Sequence, residues 1–353
     1  MWKIIKAYGI PLKVMNILKE LYDGYQCKVK IGRTETTQFN VTSGVRQGCI
    51  LSPFLFLIVI DYIMKRATKD SRTGLQWSLL EQLEHLDFAD DVCAISQNRD
   101  SLQRKTDTIC NIAKQIGLKI NASKTKVMMV NPKTEGAIHI DDVDLESVID
   151  FNYLGSTISA DGNIVVEIKQ RIGKANAAYN TLQNIWRSKV YSTKTKIRIY
   201  KSCVRTVLLY GAETWKTDRR IESMLRGFEG RLLRRMLGLT WEDKISNIRL
   251  KELTGLEDIN KEVIKRRWRW IGHVHRMRRE RRPRQVLKWT PQGQRSRGRP
   301  RGTWRRTYEA ERKGADRTGL EIERMAQDRI ESHQFVSAHP PARRKELPAS
   351  STK

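Results

Sequence analysis

Residues 86–95 read LDFADDVCAI. Leu86 and Phe88 lead into Ala89-Asp90-Asp91, and the apolar run Val92-Cys93-Ala94-Ile95 leads out. Two strand-like segments joined by a turn-forming pair predict a β-hairpin with two carboxylates at its tip. Such a pair suits Mg2+, a hard cation that takes one or two protein carboxylates and leaves room for water and substrate phosphates. In two-metal phosphoryl transfer, ions about 3.5–4 Å apart serve the attacking and the leaving oxygen. The same dipeptide is equally what a solvated turn contains, because Asp bonds its own backbone there. The chain holds its own comparison case in Asp141-Asp142.

Nearer the N-terminus, Val14, Ile17, Leu18 and Leu21 recur at helical spacing after Pro11. Tyr25, Cys27, Val29 and Ile31 alternate with polar residues, and a second strand near residues 38–41 completes a hairpin. A glycine-rich stretch, residues 43–49, precedes a helix for which Ser52 is the expected N-cap and Pro53 the first helical residue. That helix is apolar on nearly every side up to about Ala67, as in a core helix. Downstream of the central hairpin, residues 101–116 read as a helix stopped by Gly117. Short strands are expected at 126–130, 137–140 and 147–154. The front half is thus α+β, with helices on one face of a mainly antiparallel sheet.

From about Val165 the strand signals stop. Ile168, Ile172, Ala175, Tyr179, Leu182 and Trp186 step by three and four, and further helices are expected at 193–210, 218–237 and 258–277. Beyond Arg278 the composition turns to Arg, Gly, Pro and Gln with little to bury, so order is expected to fade.

Charge separates the same two parts. The chain has 353 residues, with 67 basic against 39 acidic side chains and a net charge of +28. Residues 1–150 are nearly neutral, with 20 basic and 18 acidic side chains, whereas residues 151–353 carry 47 and 21. A charge this one-sided predicts a polyanion partner for the second part. Five scattered cysteines without a CxxC pair argue for a reducing compartment and against a zinc knuckle. No apolar run approaches the roughly 20 residues of a membrane span, and no signal peptide is visible. An intracellular protein, nuclear or cytoplasmic rather than secreted and with no membrane partner, is the expectation.

Four blocks in order carry a resemblance. They are SGVRQGCILSPFLF (residues 43–56), FADD (88–91), GLKINASKTKVM (117–128) and YLG (153–155). Together they resemble the reverse transcriptases of non-LTR, LINE-type retrotransposons. The resemblance covers about residues 1–160 and continues more loosely through YGAETW (210–215), RRWRWIGHVHRM (266–277) and SRGRPRGTW (296–304). It implies a right-hand polymerase palm over residues 1–160, a helical thumb-like region over 161–285 and a basic, largely flexible tail over 286–353. It also implies Mg2+ as cofactor, an RNA template and DNA primer as partners, and dNTPs as substrates.

Residue by residue, the resemblance makes Asp90 the principal metal ligand, with Asp91 beside it. It sets Gly44, Arg46, Gln47 and Gly48 against template and nucleotide, where glycine permits close backbone approach. Lys124 stands near the triphosphate, and Tyr153, Leu154 and Gly155 form a primer grip. Lys124 read from spacing alone is a surface lysine, and 153–155 an ordinary strand and turn. In this family another metal-binding aspartate lies upstream of the region resembling residues 2–21. The chain starts at Met1, so it is expected to be an N-terminally truncated and catalytically incomplete polymerase. The alternative is a non-enzymatic nucleic-acid-binding protein on the same scaffold. Arg297, Gly298, Arg299 and Pro300 resemble an AT-hook for the minor groove, a composition a solvated linker shares. Trp268 and Trp270 read as buried anchors ahead of base-stacking platforms.

Overall fold

The computed structural model describes residues 1–41, 44–46, 48–69, 72–78, 81–130, 136–290 and 302–338. Contacts divide the chain into two units, Met1–Val148 and Ile149–Lys353.

The first unit opens with α1 (Trp2–Ala7) and α2 (Leu12–Tyr22). Its α2 turns a different stripe inward from the one the spacing suggests. Met15 and Leu18 pack on Ile5 and Leu55, while Val14, Ile17 and Leu21 stay exposed. Strands β1 (Gln26–Cys27) and β4 (Phe39–Asn40) pair antiparallel around the inner hairpin β2 (Lys30–Ile31) and β3 (Thr34–Glu35). Helix α3 (Leu51–Thr68) follows. Ser52 is not its N-cap: Ile50 takes that place without a side-chain bond, and the buried Ser52 hydroxyl pairs with Tyr22 Oη at 3.0 Å. A hydroxyl that finds a partner across the core has no need to cap its own helix.

A small hairpin, β5 (Leu75–Gln76) with β6 (Gln82–Leu83), leads to β7 (His85–Phe88) and β8 (Asp91–Ala94). Helix α4 (Arg99–Ile116) is capped by the Asn98 side chain on Ser101 N–H and closed by Gly117 at φ +85°. Strand β9 (Lys126–Val127), the hairpin β10 (His139–Ile140) and β11 (Val143–Asp144), and β12 (Glu146–Ser147) complete the unit. Helices α3 and α4 share a core through Ile58, Ile63, Met64, Ile112 and Ala113. Strand residues Val127 and Ile140, with the adjoining Ile138, pack on Cys110 of α4. The class is α+β, as expected. The single antiparallel sheet is not: among the described residues the strands form seven separate two-stranded ladders, with β9–β12 parallel. Strands of two to four residues end in turns before a third can pair, so helices supply the core.

The second unit begins with the hairpin β13 (Asp150–Tyr153) and β14 (Ser156–Ser159), which the sequence reading had grouped with residues 1–160. Strand β14 packs on α5 (Ile164–Thr181), so by contacts the hairpin goes with the second unit. After α6 (Gln183–Arg187), α7 (Thr193–Ile199) runs on through a π-helical turn, Tyr200–Arg205, into α8 (Thr206–Leu208). Then come α9 (Arg219–Leu237), α10 (Asn247–Thr254) and α11 (Ile259–His275) around one apolar core.

Among the described residues after Arg278 there is helical structure that composition does not suggest. Helices α12 (Arg282–Val286), α13 (Trp304–Gly314), α14 (Gly319–Met325) and α15 (Arg329–Ala338) follow, and Ile322 and Val336 are buried with Trp268 and Ile271. Two apolar anchors per few turns suffice when a preformed tryptophan surface receives them.

Candidate active site

The β7–β8 hairpin sets Phe88 opposite Asp91 and Asp87 opposite Val92, with Ala89 and Asp90 as the two-residue turn. Ala89 sits at φ +56°, a left-handed conformation that costs a non-glycine residue about 1 kcal/mol. Opposed residues share a face, so Asp91 lies beside Phe88 and Leu86, which are 63% and 45% exposed. Asp87 is on the other face with His85, its partner at 3.3 Å. Asp90 and Asp91 are exposed, and among the described residues neither has an ion-pair partner.

The comparison turn behaves differently. Asp141, at φ +53°, pairs with Lys114 of α4. A turn aspartate neutralised by a lysine is structural, whereas two adjacent carboxylates left open at a tip retain their oxygens for a cation.

The base of the hairpin is fixed by a residue that the sequence reading missed. Lys105 of α4 is buried, donates to Glu84 at 2.5 Å and reaches the Ile95 carbonyl. The signal was present: Ser101, Lys105 and Ile112 share one face of α4, so a lysine stands on the helix's buried stripe.

The other expected site residues fall as follows. Gly44 and Gly48 take φ +85° and +80° with open space where a Cβ would stand, so the loop does use the freedom only glycine has. Arg46 is occupied within the fold. Its guanidinium lies 3.9 Å from the Tyr25 ring centroid and donates to the Leu21 carbonyl at the end of α2. Gln47 lies outside the described residues. Lys124 is exposed on a turn held by the Asn121 carbonyl and side chain, just before β9, and makes no ion pair or hydrogen bond with Asp90 or Asp91.

Tyr153, Leu154 and Gly155 form the β13–β14 turn in the second unit, with Leu154 at φ +50° and Gly155 at φ +79°. Both turn carbonyls are engaged. Tyr210 Oη donates to Leu154 O at 3.0 Å, and Arg171 of α5 donates to Gly155 O. The Arg171 guanidinium also stacks 4.5 Å from the Tyr210 centroid and pairs with Glu167, which accepts from Thr157 N–H at 2.6 Å.

The looser C-terminal blocks converge on one buried polar knot. Arg267 is 0% exposed; it donates to Trp215 O at 2.7 Å and pairs with Glu311. Glu311 also accepts from Trp268 Nε1 at 3.1 Å, while Trp304 Nε1 donates to Glu213 O at 2.8 Å. Trp268 is thus a buried anchor, while Trp270 faces out and sits against His273. Arg297, Gly298, Arg299 and Pro300 lie outside the described residues.

Residues 1–158 match the family model for reverse transcriptase (RNA-dependent DNA polymerase), and residues 178–210 match a domain of unknown function, DUF6451. A transposon-derived protein of Caenorhabditis elegans is 28% identical over 222 residues, 59% of this chain and 77% of that protein. A Pol polyprotein from retrotransposable element R2 of Popillia japonica is 28% identical over 171 residues, 45% of this chain and 28% of the polyprotein. An uncharacterized 149 kDa protein of transposon TX1 from Xenopus laevis is 26% identical over 264 residues, 70% of this chain and 19% of its own length. Residues 1–158 are therefore a reverse transcriptase domain. The relatives carry the names of transposons and a retrotransposable element, which supports a reverse transcriptase fragment of the non-LTR, LINE type over that segment. It spans most of the nematode relative and less than a third of the other two.

Proposed function

We propose that the chain acts in RNA-directed DNA synthesis, with the Asp90–Asp91 tip as the seat of the catalytic Mg2+. The observation that carries this reading is the pair of exposed, unneutralised carboxylates on a two-residue turn, set against the neutralised Asp141. Oxygen-only donors on a fixed turn fit a hard cation that completes its shell with water and phosphate. When bound, such a cation polarises phosphate oxygens and lowers the pKa of a coordinated nucleophile.

The protein's own contribution is positioning. Lys105 holds the hairpin base, and Phe88 and Leu86 offer an apolar shelf beside Asp91 for a primer terminus. Gly44 and Gly48 present bare backbone with open space around it, and Lys124 supplies a mobile positive charge for the triphosphate. In this reading residues 1–160 are palm, 161–285 thumb-like and 286–353 tail, with Tyr153–Gly155 gripping the primer. An RNA template, a DNA primer and dNTPs are the partners. Among the described residues no third metal-ligating side chain joins Asp90 and Asp91, so synthesis by this chain alone is expected to be weak.

Primer extension on an RNA template with Mg2+ tests the reading. Incorporation above background that is lost in Asp90→Asn supports it, and incorporation untouched by that change refutes it. No incorporation, together with salt-sensitive template binding, would favour a purely nucleic-acid-binding role. The one-sided charge of the second half supports that second reading.

A further inference from the structure

The α6–α7 connection and the last turn of α9 enclose a groove of about 510 Å3. One wall is aromatic: Trp186 stacks on Tyr179 with centroids 5.2 Å apart and planes 16° from parallel. Tyr191, also lining the groove, is 46% exposed. Arg187, Lys189 and Arg235 line it too, are exposed, and have no carboxylate partner among the described residues. No acidic side chain lines the groove. Tyr179, only 1% exposed, lines it as well, and its buried hydroxyl has no hydrogen-bond partner among the described residues.

A ligand that fits must be anionic, must carry a flat apolar part, and gains from offering a hydrogen-bonding group. We propose that this groove binds one nucleotide unit, its base stacked on the exposed Tyr191 beside the 5%-exposed Trp186 and its phosphate on Arg187, Lys189 and Arg235. Aromatic faces accept any base, and guanidinium forks take phosphate oxygens in pairs. The volume lies in the range of small-ligand clefts. The residues from Tyr179 to Lys196 that line it fall within the segment matching the domain of unknown function. The groove shares no residue with the Asp90–Asp91 tip, so a failed primer-extension test leaves the nucleotide site standing.

The test is photo-crosslinking of the full chain to a short single-stranded oligonucleotide containing 5-iododeoxyuridine, with the adduct mapped by mass spectrometry. The expected adduct is on Tyr191 or Trp186; adducts found only outside residues 179–191 and 235–238 overturn the proposal. In fluorescence anisotropy, Tyr191→Leu is expected to weaken oligonucleotide binding about tenfold, and Arg235→Gln to lower the slope of log affinity against log salt by about one. Far-UV circular dichroism checks that both variants remain folded, and wild-type affinity in folded Tyr191→Leu overturns the proposal. Adenosine monophosphate that displaces the crosslink points to a free nucleotide as the source. Displacement by unlabelled oligonucleotide alone points to a strand. Inorganic phosphate as effective as the mononucleotide removes the base from the argument and overturns it.

Discussion

At Glu229, burial and a neighbouring cation act in opposite directions. Burial pushes the carboxyl up to about 7, even though Arg205 Nε lies 3.1 Å away and Tyr200 Oη 3.3 Å away. Asp258 raises it further and Lys251 opposes. The Arg205 Nε–H makes no aligned hydrogen bond to that carboxylate, so desolvation prevails. The folded state therefore holds a proton that the unfolded chain releases between about pH 4.5 and 7. Stability falls as pH rises through that window, by about 3 kcal/mol at most. Thermal melts at pH 5 and pH 7.5 should show it, and Glu229→Gln should flatten the difference.

Single residues also show where the sequence spoke and where it was silent. Asp90-Asp91 was legible because a turn dipeptide between apolar runs is a local signal. The partners of Arg46 were not legible, because Leu21 and Tyr25 lie far enough back in the chain that spacing does not reveal them.

Among elements, those built from local periodicity were legible. The central hairpin, α4 with its Gly117 stop and the helical character after Val165 all stand as read. What escaped depended on distant partners: the Ser52 hydroxyl drawn to Tyr22, and the tail helices drawn to Trp268. Helix α13 is tied to α11 through Arg267 and Glu311, both fully desolvated. Removing one member of a buried pair leaves a stranded charge and costs about 3–5 kcal/mol. Glu311→Ala should therefore lower the melting temperature and speed tryptic cleavage in residues 302–338. Replacing both partners by Met should recover much of the loss, since matched apolar groups avoid the desolvation cost. Unchanged melting in Glu311→Ala would mean that the pair does not hold the tail.

Across the whole molecule, charge is the organising quantity. Nearly all of the +28 resides after residue 150, and a surface so charged releases counterions from any nucleic acid it meets. If six or more phosphates are neutralised, affinity should fall by about a thousandfold or more between 50 and 200 mM salt, with little dependence on sequence. Anisotropy titrations of the full chain against two unrelated oligonucleotides measure this, and a flat salt response would show that the cations do not contact phosphate. The first unit is neutral and carries exposed apolar groups on α2 and α3 instead. No helix of the described residues is long and apolar enough to cross a membrane.

The clasp of Thr157 on Glu167, and of Leu154 on Tyr210, has a practical corollary. The reverse transcriptase family match stops at residue 158, inside strand β14, whereas the contact boundary falls ahead of Ile149. A polypeptide cut where that match ends would strip this ribbon of the Glu167, Arg171 and Tyr210 side chains that fasten it; severing after Val148 delivers ribbon and fastenings on the same piece.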